Sequence, residues 1–562
     1  MKNVRTCVTV AATLGVVSAI AACNGILGIE DVEVVTPDGG SPGVDAGPDA
    51  VAIPDGGQPD ADAAVQKPGA VTGVVHFLQE SASLTLASGT DTLEITKNGS
   101  FELAFSGPPT GAYELKVTKN PAGQECWVQN GAGDKGKPTS GLEVRCTVVR
   151  SSIGTLTTQI FTKSSTYTKM DDVEDVVFTN DVPARTLLAL SVPSIRGIDQ
   201  DLAQWRVGIF VDGELATEAV GRVEAGAPVN APVVVVHVPV LQPGKHTARA
   251  VWRKVDGRNP SGIARDIYRE HVFSSGAEVR PELDVVVLDS LSTFDKYAST
   301  QTTSSVGNPP KDVDTSLGIP ALTLTTVKQP VLMMASVPDL TGEGFVKLLL
   351  DGASLAEQRK VVNAQNTDTM ATYTPTGFRE LEAGSHTLTA MVRRLSNISA
   401  SVYGTSAGEP GLSQNAKKPA MLHAFAWRPT AKAAWFDGAA LGATPTPSLP
   451  DDLAVPGSAV DITTDRPAKA LVMLDVQQLN AELSSQNSPI AEGYVFVNGA
   501  RGPGAVAGRQ GFDDGLRSNV FTRFGIVDLP AGKSTIEVRI RNAQAFPMYT
   551  VGGVRMGAVV LE

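Results

Sequence analysis

Few side chains in this 562-residue chain have a type and spacing that could do chemistry. Arg253, Arg393 and Arg541 each stand seven residues after the same position of three similar turns. Gathered around one axis, three guanidinium forks would make a site for an anion or a glycan. Left on the outward faces of their strands, they protect sheet edges or form weak surface pairs. Trp205 and Trp435 offer ring faces for stacking on sugars, whereas Trp252 and Trp427 sit in apolar strand contexts that mark a core. His246 and His386 occupy equivalent turn positions, but Ser534 replaces them in the third turn. A polar side chain that satisfies the turn backbone accounts for all three without metal binding or catalysis. The acid pairs Asp171-Asp172, Glu174-Asp175 and Asp513-Asp514 read as solvated loop charge, with calcium as the alternative.

A catalytic site needs a nucleophile beside a base, or two carboxylates at suitable separation, and the spacing supplies neither. The six histidines contain no ligand pair of the usual kind. No catalytic residue, metal or cofactor is therefore expected. The enzymatic alternative is a polysaccharide-acting enzyme of the envelope.

The elements that position these residues are strands. Phe101, Leu103 and Phe105 alternate with polar or small residues, as do Tyr113, Leu115 and Val117. Period two marks half-buried strands. Cys126 shares a strand face with Val128, and Cys146 shares one with Leu142 and Val144, so both sulfurs point inward, where a bridge can join two strands. Further on, LQPGKHT (241–247), LEAGSHT (381–387) and LPAGKST (529–535) open three alternating strands. Their inward positions are Ala248, Ala250 and Trp252, then Leu388, Ala390 and Val392, then Ile536, Val538 and Ile540. Upstream of each turn, a strand ends at Asp212-Gly213, Asp351-Gly352 or Asn498-Gly499. Apolar strands open the copies at 186–192, 332–337 and 470–476 and close them at 283–288, 421–427 and 556–561. A period of 140 to 148 residues is far too long for a solenoid, so these are tandem domains with their own cores.

The N-terminus carries Lys2 and Arg5, an apolar run from Val8 to Ile20, and small residues before Cys23. That is the layout of an export signal, too short to span a bilayer comfortably. It resembles a bacterial lipoprotein signal with its lipobox, which implies acylation of Cys23. Asn24 in the next position implies sorting to the outer membrane. With Cys7 lost in the leader, Cys126 and Cys146 remain, and an even remainder in an exported chain suggests a disulfide. Residues 24–66 hold nine acids and no base, and the run from Thr36 to Pro68 is rich in Pro, Gly, Asp and Ala without an aromatic. Such a segment cannot bury a core and extends as a tether. The formal net charge of −12 belongs largely to it, and the remaining body has no basic stripe for nucleic acid. Acidic tethers behind a lipid-bearing Cys look like those of Gram-negative surface lipoproteins.

Residues 70–147 resemble a disulfide-bearing β-sandwich repeat of bacterial exported proteins, through NGSFELAF, the Pro-x-Gly-Gln-x-Cys corner and LEVRC. The resemblance implies a spacer or binding module, with Asn98-Gly99 as a hairpin turn. The three later copies resemble jelly-roll modules of trimeric fibre and tumour-necrosis-factor-like heads. The expected fold is all-β: signal 1–22, anchor and linker 23–67, a small sandwich 68–148, then jelly-roll-like antiparallel sandwiches at 149–298, 299–437 and 438–562. The expected protein is a monomer whose three copies form a pseudo-threefold head. The expected function is structural or adhesive, with a surface glycan or envelope protein as partner and a purely structural coat component as the rival.

Overall fold

A computed structural model describes residues 69–562 except 138–140, 155–159, 163–165, 198–203, 223–228, 256–266, 270–279, 303–305, 308, 342–343, 361–369, 396–400, 403–418, 439–452, 482–489, 510–516, 543–547 and 551–552. The leader, Cys23, the acidic tether and Asp513-Asp514 lie outside the described residues. The described chain is nearly all strand, and its only helical element is a 3-10 turn at Leu288–Ser290.

The small sandwich pairs Gly99–Ala104, Ala70–His76, Glu143–Cys146 and Cys126–Gln129 in that order, with one parallel contact between Ala70–His76 and Glu143–Cys146. A second sheet holds Asp91–Ile95, Leu84–Ser88 and Lys116–Lys119. Cys126 and Cys146 face each other directly across neighbouring strands and are joined as a disulfide. Closing a span of 20 residues is worth about 3 kcal/mol in the chain-entropy treatment. Asn98-Gly99 is not a hairpin turn. Its flanking strands belong to different sheets, so the turn carries the chain across the sandwich. The Asn98 side chain brackets the Leu78 backbone, donating to its carbonyl at 2.9 Å and accepting from its N–H at 2.8 Å.

Each of the three later modules packs two sheets face to face. In the first, the inner sheet orders Val149–Ile153, Glu282–Val287, Ala184–Gly197 and Val229–His237. Its outer sheet runs from Val176–Asn180 through Gly244–Val255 and Gln204–Val211 to Glu214–Arg222. The second module repeats this with inner strands Phe294–Thr302, Ala420–Trp427, Gln329–Thr341 and Thr376–Leu381, and the third with Ala433–Gly438, Val554–Val560, Ala468–Ala481 and Arg517–Leu529. The boundaries read at 298/299 and 437/438 therefore fall inside strands. The chain changes module a few residues earlier, because the first strand of each new module is needed to cover its closing strand.

Outer-sheet strands alternate as their sequence pattern requires, and the nine inward positions after the turns all lie in the three module cores. The closing strands of the inner sheets, Glu282–Val287, Ala420–Trp427 and Val554–Val560, are buried on both faces along most of their length. Leu188, Leu190 and Val192 fill the first module, while Leu187 and Ala189 point the other way. Leu332 and Met334, and Leu471 and Met473, do the same from the other two modules. Joined by Phe378, Phe425, Trp427 and Phe524, they form a fourth core to which all three modules contribute. Each such side chain taken fully out of water contributes roughly 1.5–3 kcal/mol, so burial of this centre holds the modules together.

The edges close the arrangement. The last outer strand of the first module, Glu214–Arg222, lies on inner strands Gln329–Thr341 and Met370–Tyr373 of the second. Ala353–Lys360 of the second lies on Ala468–Ala481 and Arg517–Leu529 of the third. Ala500–Arg509 of the third lies on Ala184–Gly197 and Val229–His237 of the first, pairing Val229 with Arg509 and Asn230 with Gly508. Three head-to-tail contacts return to the start, so the modules close into a ring of contacts within one chain in which each of these edge strands is covered by the next module.

The small sandwich is fixed to the ring. Phe77, at φ 64°, inserts into the core of the first module. Asp181 receives the Phe77 N–H at 2.8 Å and the His76 ring at 2.7 Å. Gln79 pairs with the backbone of Thr179 in both directions, and Trp127 donates to the Ser290 carbonyl. Lys245 meets Glu80, which puts the sandwich at the end of the module that carries the tight turns.

Candidate functional site

The turn histidines have structural partners. His246 Nδ1 lies 2.7 Å from Asp212 Oδ2 and its Nε2 2.8 Å from the Gln242 carbonyl, while Asp212 Oδ1 accepts the Thr247 N–H. His386, Asp351, Glu382 and Thr387 repeat this geometry. In the third module Asn498 stands for the aspartate and Ser534 for the histidine. Asn498 donates to Ser534 at 3.3 Å and still accepts the Thr535 N–H at 2.9 Å. Asp212, Asp351 and Asn498 all have φ between 51° and 53°, ahead of a positive-φ glycine, the type of turn that favours Asp/Asn-Gly. The hydrogen bond from His386 to Asp351 raises the histidine and lowers the carboxyl. This is turn locking.

The three arginines lie on outer-sheet strands, away from the shared centre. Arg393 forms a bidentate pair with Asp314 of its own module at 2.7 and 2.8 Å, and Arg253 lies over the Tyr167 ring of its own module, 4.9 Å from the centroid. The side chains of Arg541 and Trp205 lie outside the described residues. Trp435 is half-buried, lies tilted against Phe378 with ring centroids 5.8 Å apart and packs on the central cluster, so part of its ring is engaged between modules. Asp175 is held by Arg249 and Lys169, and Asp172 is buried. Among the described residues, no cluster of three or more His, Cys, Asp or Glu could hold a metal ion.

The polar groups that sequence reasoning missed lie in the seams. Between the first and third modules, Arg523 Nη2 donates to Glu282 Oε2 at 2.8 Å and Nη1 to the Ser191 carbonyl at 2.8 Å. Burial, then the neighbouring Glu282 carboxylate, push Asp284 well above the usual carboxylate range. Asp284, His423 and Gly557 stand on the same rung of the three closing strands. His423 Nδ1 meets the Tyr297 hydroxyl at 2.7 Å, and burial pushes its ring down to about 3. Gly557 is small because Phe378 of the second module lies over it: an added Cβ would fall 2.7 Å from the Phe378 Cβ.

Between the second and third modules, Gln358 Nε2 donates to Asp475 Oδ1 at 2.6 Å and to Thr522 Oγ1 at 2.8 Å, and Gln358 Oε1 accepts the Thr374 N–H at 2.8 Å. Burial pushes the Asp475 carboxyl up to about 6, opposed by the Arg555 guanidinium 3.9 Å away. The signal for these residues was present: Asp475 interrupts the apolar run ALVMLDV, and Arg523 interrupts VFTRFG.

No protein-family model matches the chain, and no curated protein matches it. Similar solved structures include PNGF-II, at 7% identity and a TM-score of 0.22 over 64% of this chain and 99% of that one. The insecticidal delta-endotoxin Cry8Ea1 from Bacillus thuringiensis is 9% identical, with a TM-score of 0.15 over 48% of this chain and 60% of that one. A Paenibacillus xanthan lyase is 14% identical, with a TM-score of 0.17 over 84% of this chain and 42% of that one. Likenesses at these scores carry no argument about activity or partner.

Proposed function

We propose that the protein is a lipid-anchored, non-enzymatic binding head of the outer membrane, directed at a surface glycan or an envelope protein. One observation carries this reading: three modules are fused around a packed apolar centre and fixed to a small sandwich at their tight-turn end. A packed multidomain head behind an acidic, Pro- and Gly-rich segment of sequence suits presentation of a surface rather than turnover of a substrate. With Trp427 and Phe425 filling the centre, binding belongs to the opposite end of the modules or to their outer sheets. The membrane attachment rests on the signal-like leader and Cys23.

The test is binding of the purified mature chain to a glycan array and to fractionated envelope. Retention on one class, lost on substituting Arg253, Arg393 and Arg541 together, supports a glycan head. Absence of any retention, with release of sugar from polysaccharide, overturns the reading in favour of an enzyme. Mass spectrometry of the native N-terminus tests the anchor, and an unacylated, unprocessed end removes it.

A further inference from the structure

We propose that Thr522 and Gln358 join as an intramolecular ester that covalently closes the seam between the second and third modules, with Asp475 moving the proton. The three side chains come from different strands, Ala353–Lys360, Ala468–Ala481 and Arg517–Leu529, and meet only because the ring closes. All are buried, at 1%, 0% and 4% exposure for Gln358, Asp475 and Thr522.

The parts of an acyl transfer are in place. Thr522 Oγ1 is the nucleophile, and its one hydroxyl proton has two acceptors, the Thr374 carbonyl at 2.8 Å and Asp475 Oδ1 at 3.0 Å, the second within reach of a general base. The acceptor is the Gln358 amide, whose Oε1 already takes the Thr374 N–H, a fixed backbone donor for the charge that would develop on that oxygen. The leaving nitrogen, Nε2, is 2.6 Å from the same Asp475 oxygen. One carboxyl therefore touches both the hydroxyl that must lose a proton and the nitrogen that must gain one. A carboxyl shifted toward neutrality by burial is suited to both tasks.

The step balances without an oxidant or co-reactant. Oγ1 of Thr522 bonds to Cδ of Gln358 as its proton passes to Asp475. The Cδ–Nε2 bond then breaks, Asp475 returns the proton to nitrogen, and ammonia leaves. The products are one ester and one ammonia, whose dilution into bulk water opposes the reverse reaction. Burial keeps water from the ester. The first–third seam uses the Glu282–Arg523 ion pair instead.

The experiment is tryptic mapping of the denatured full chain by tandem mass spectrometry. Cleavage after Lys347, Arg359, Arg517 and Arg523 places Gln358 in 348–359 and Thr522 in 518–523. The expected result is a branched peptide of these two segments, lighter than their sum by one ammonia and cleaved by hydroxylamine to a hydroxamate at Gln358. Localisation matters, because an Asn-Gly succinimide loses the same mass. Thr522→Ser should keep the branch, and Asp475→Asn should lose it. Recovery of both segments wholly as linear peptides from the wild type overturns the ester. A branch undiminished in Asp475→Asn overturns the role given to that carboxyl.

Discussion

Glu282 and Arg523 are 241 positions apart in the chain and 2.8 Å apart in the fold, each almost fully buried where the first module meets the third. Taking two charges out of water costs several kcal/mol apiece, which the mutual attraction offsets only while both partners remain. Arg523→Met should therefore destabilise the ring by about 3–5 kcal/mol, and Arg523→Met with Glu282→Leu should recover much of that loss. Denaturant midpoints of the three proteins check this. Equal midpoints for Arg523→Met and the wild type would mean that the seam does not depend on the pair.

His423 gives the protein an acid-sensitive term. Burial, with His237 adding a smaller charge effect, pushes the folded ring down to about 3, whereas an unfolded histidine titrates near its ordinary value. The unfolded chain binds the extra proton first, so this contribution is fully present above that ordinary value and is lost as pH falls toward 3. The full loss is on the order of 5 kcal/mol. His423→Gln should flatten the fall in stability across that window, read as the difference in denaturation midpoint between neutral and acid buffer.

Gly557 faces Phe378 across the second–third seam. Gly557→Val should cost about 1–3 kcal/mol or more by overpacking, and adding Phe378→Ala should return part of it. Thermal unfolding of the single and double variants measures the coupling. Strict additivity would show that the two residues do not share this contact.

The three turns contain their own double-mutant cycle. Asp212→Asn keeps the acceptor for the Thr247 N–H but weakens the contact with His246. His246→Ser then installs the pair that the third module already uses. The double variant should lie nearer the wild type than the sum of the singles, with an interaction energy of about 0.5 kcal/mol or more.

The repeat landmarks were legible because each is local. Asp212-Gly213 and its counterparts turn the chain through positive φ, and Ala248, Ala250 and Trp252 face a core because a strand alternates with period two. Asn98-Gly99 shows where local reading stops. The dipeptide marks a turn correctly, but its flanking strands join different sheets, and the Asn98 side chain is held by the Leu78 backbone 20 residues upstream.

By itself the sequence determined strands, their inward faces and three modules of one kind, since each follows from the spacing of neighbouring residues, and it pointed to the disulfide pair through the count of cysteines. Only the tertiary structure decided that Leu187, Leu332 and Leu471 share one interior, that Arg253 and Arg393 face their own modules, and that Gln358, Asp475 and Thr522 touch. A strand buried on both faces reads as one continuous apolar run, which records that something covers its second face but not what. The covering surface lies more than a hundred residues away, and its identity is fixed by ring closure.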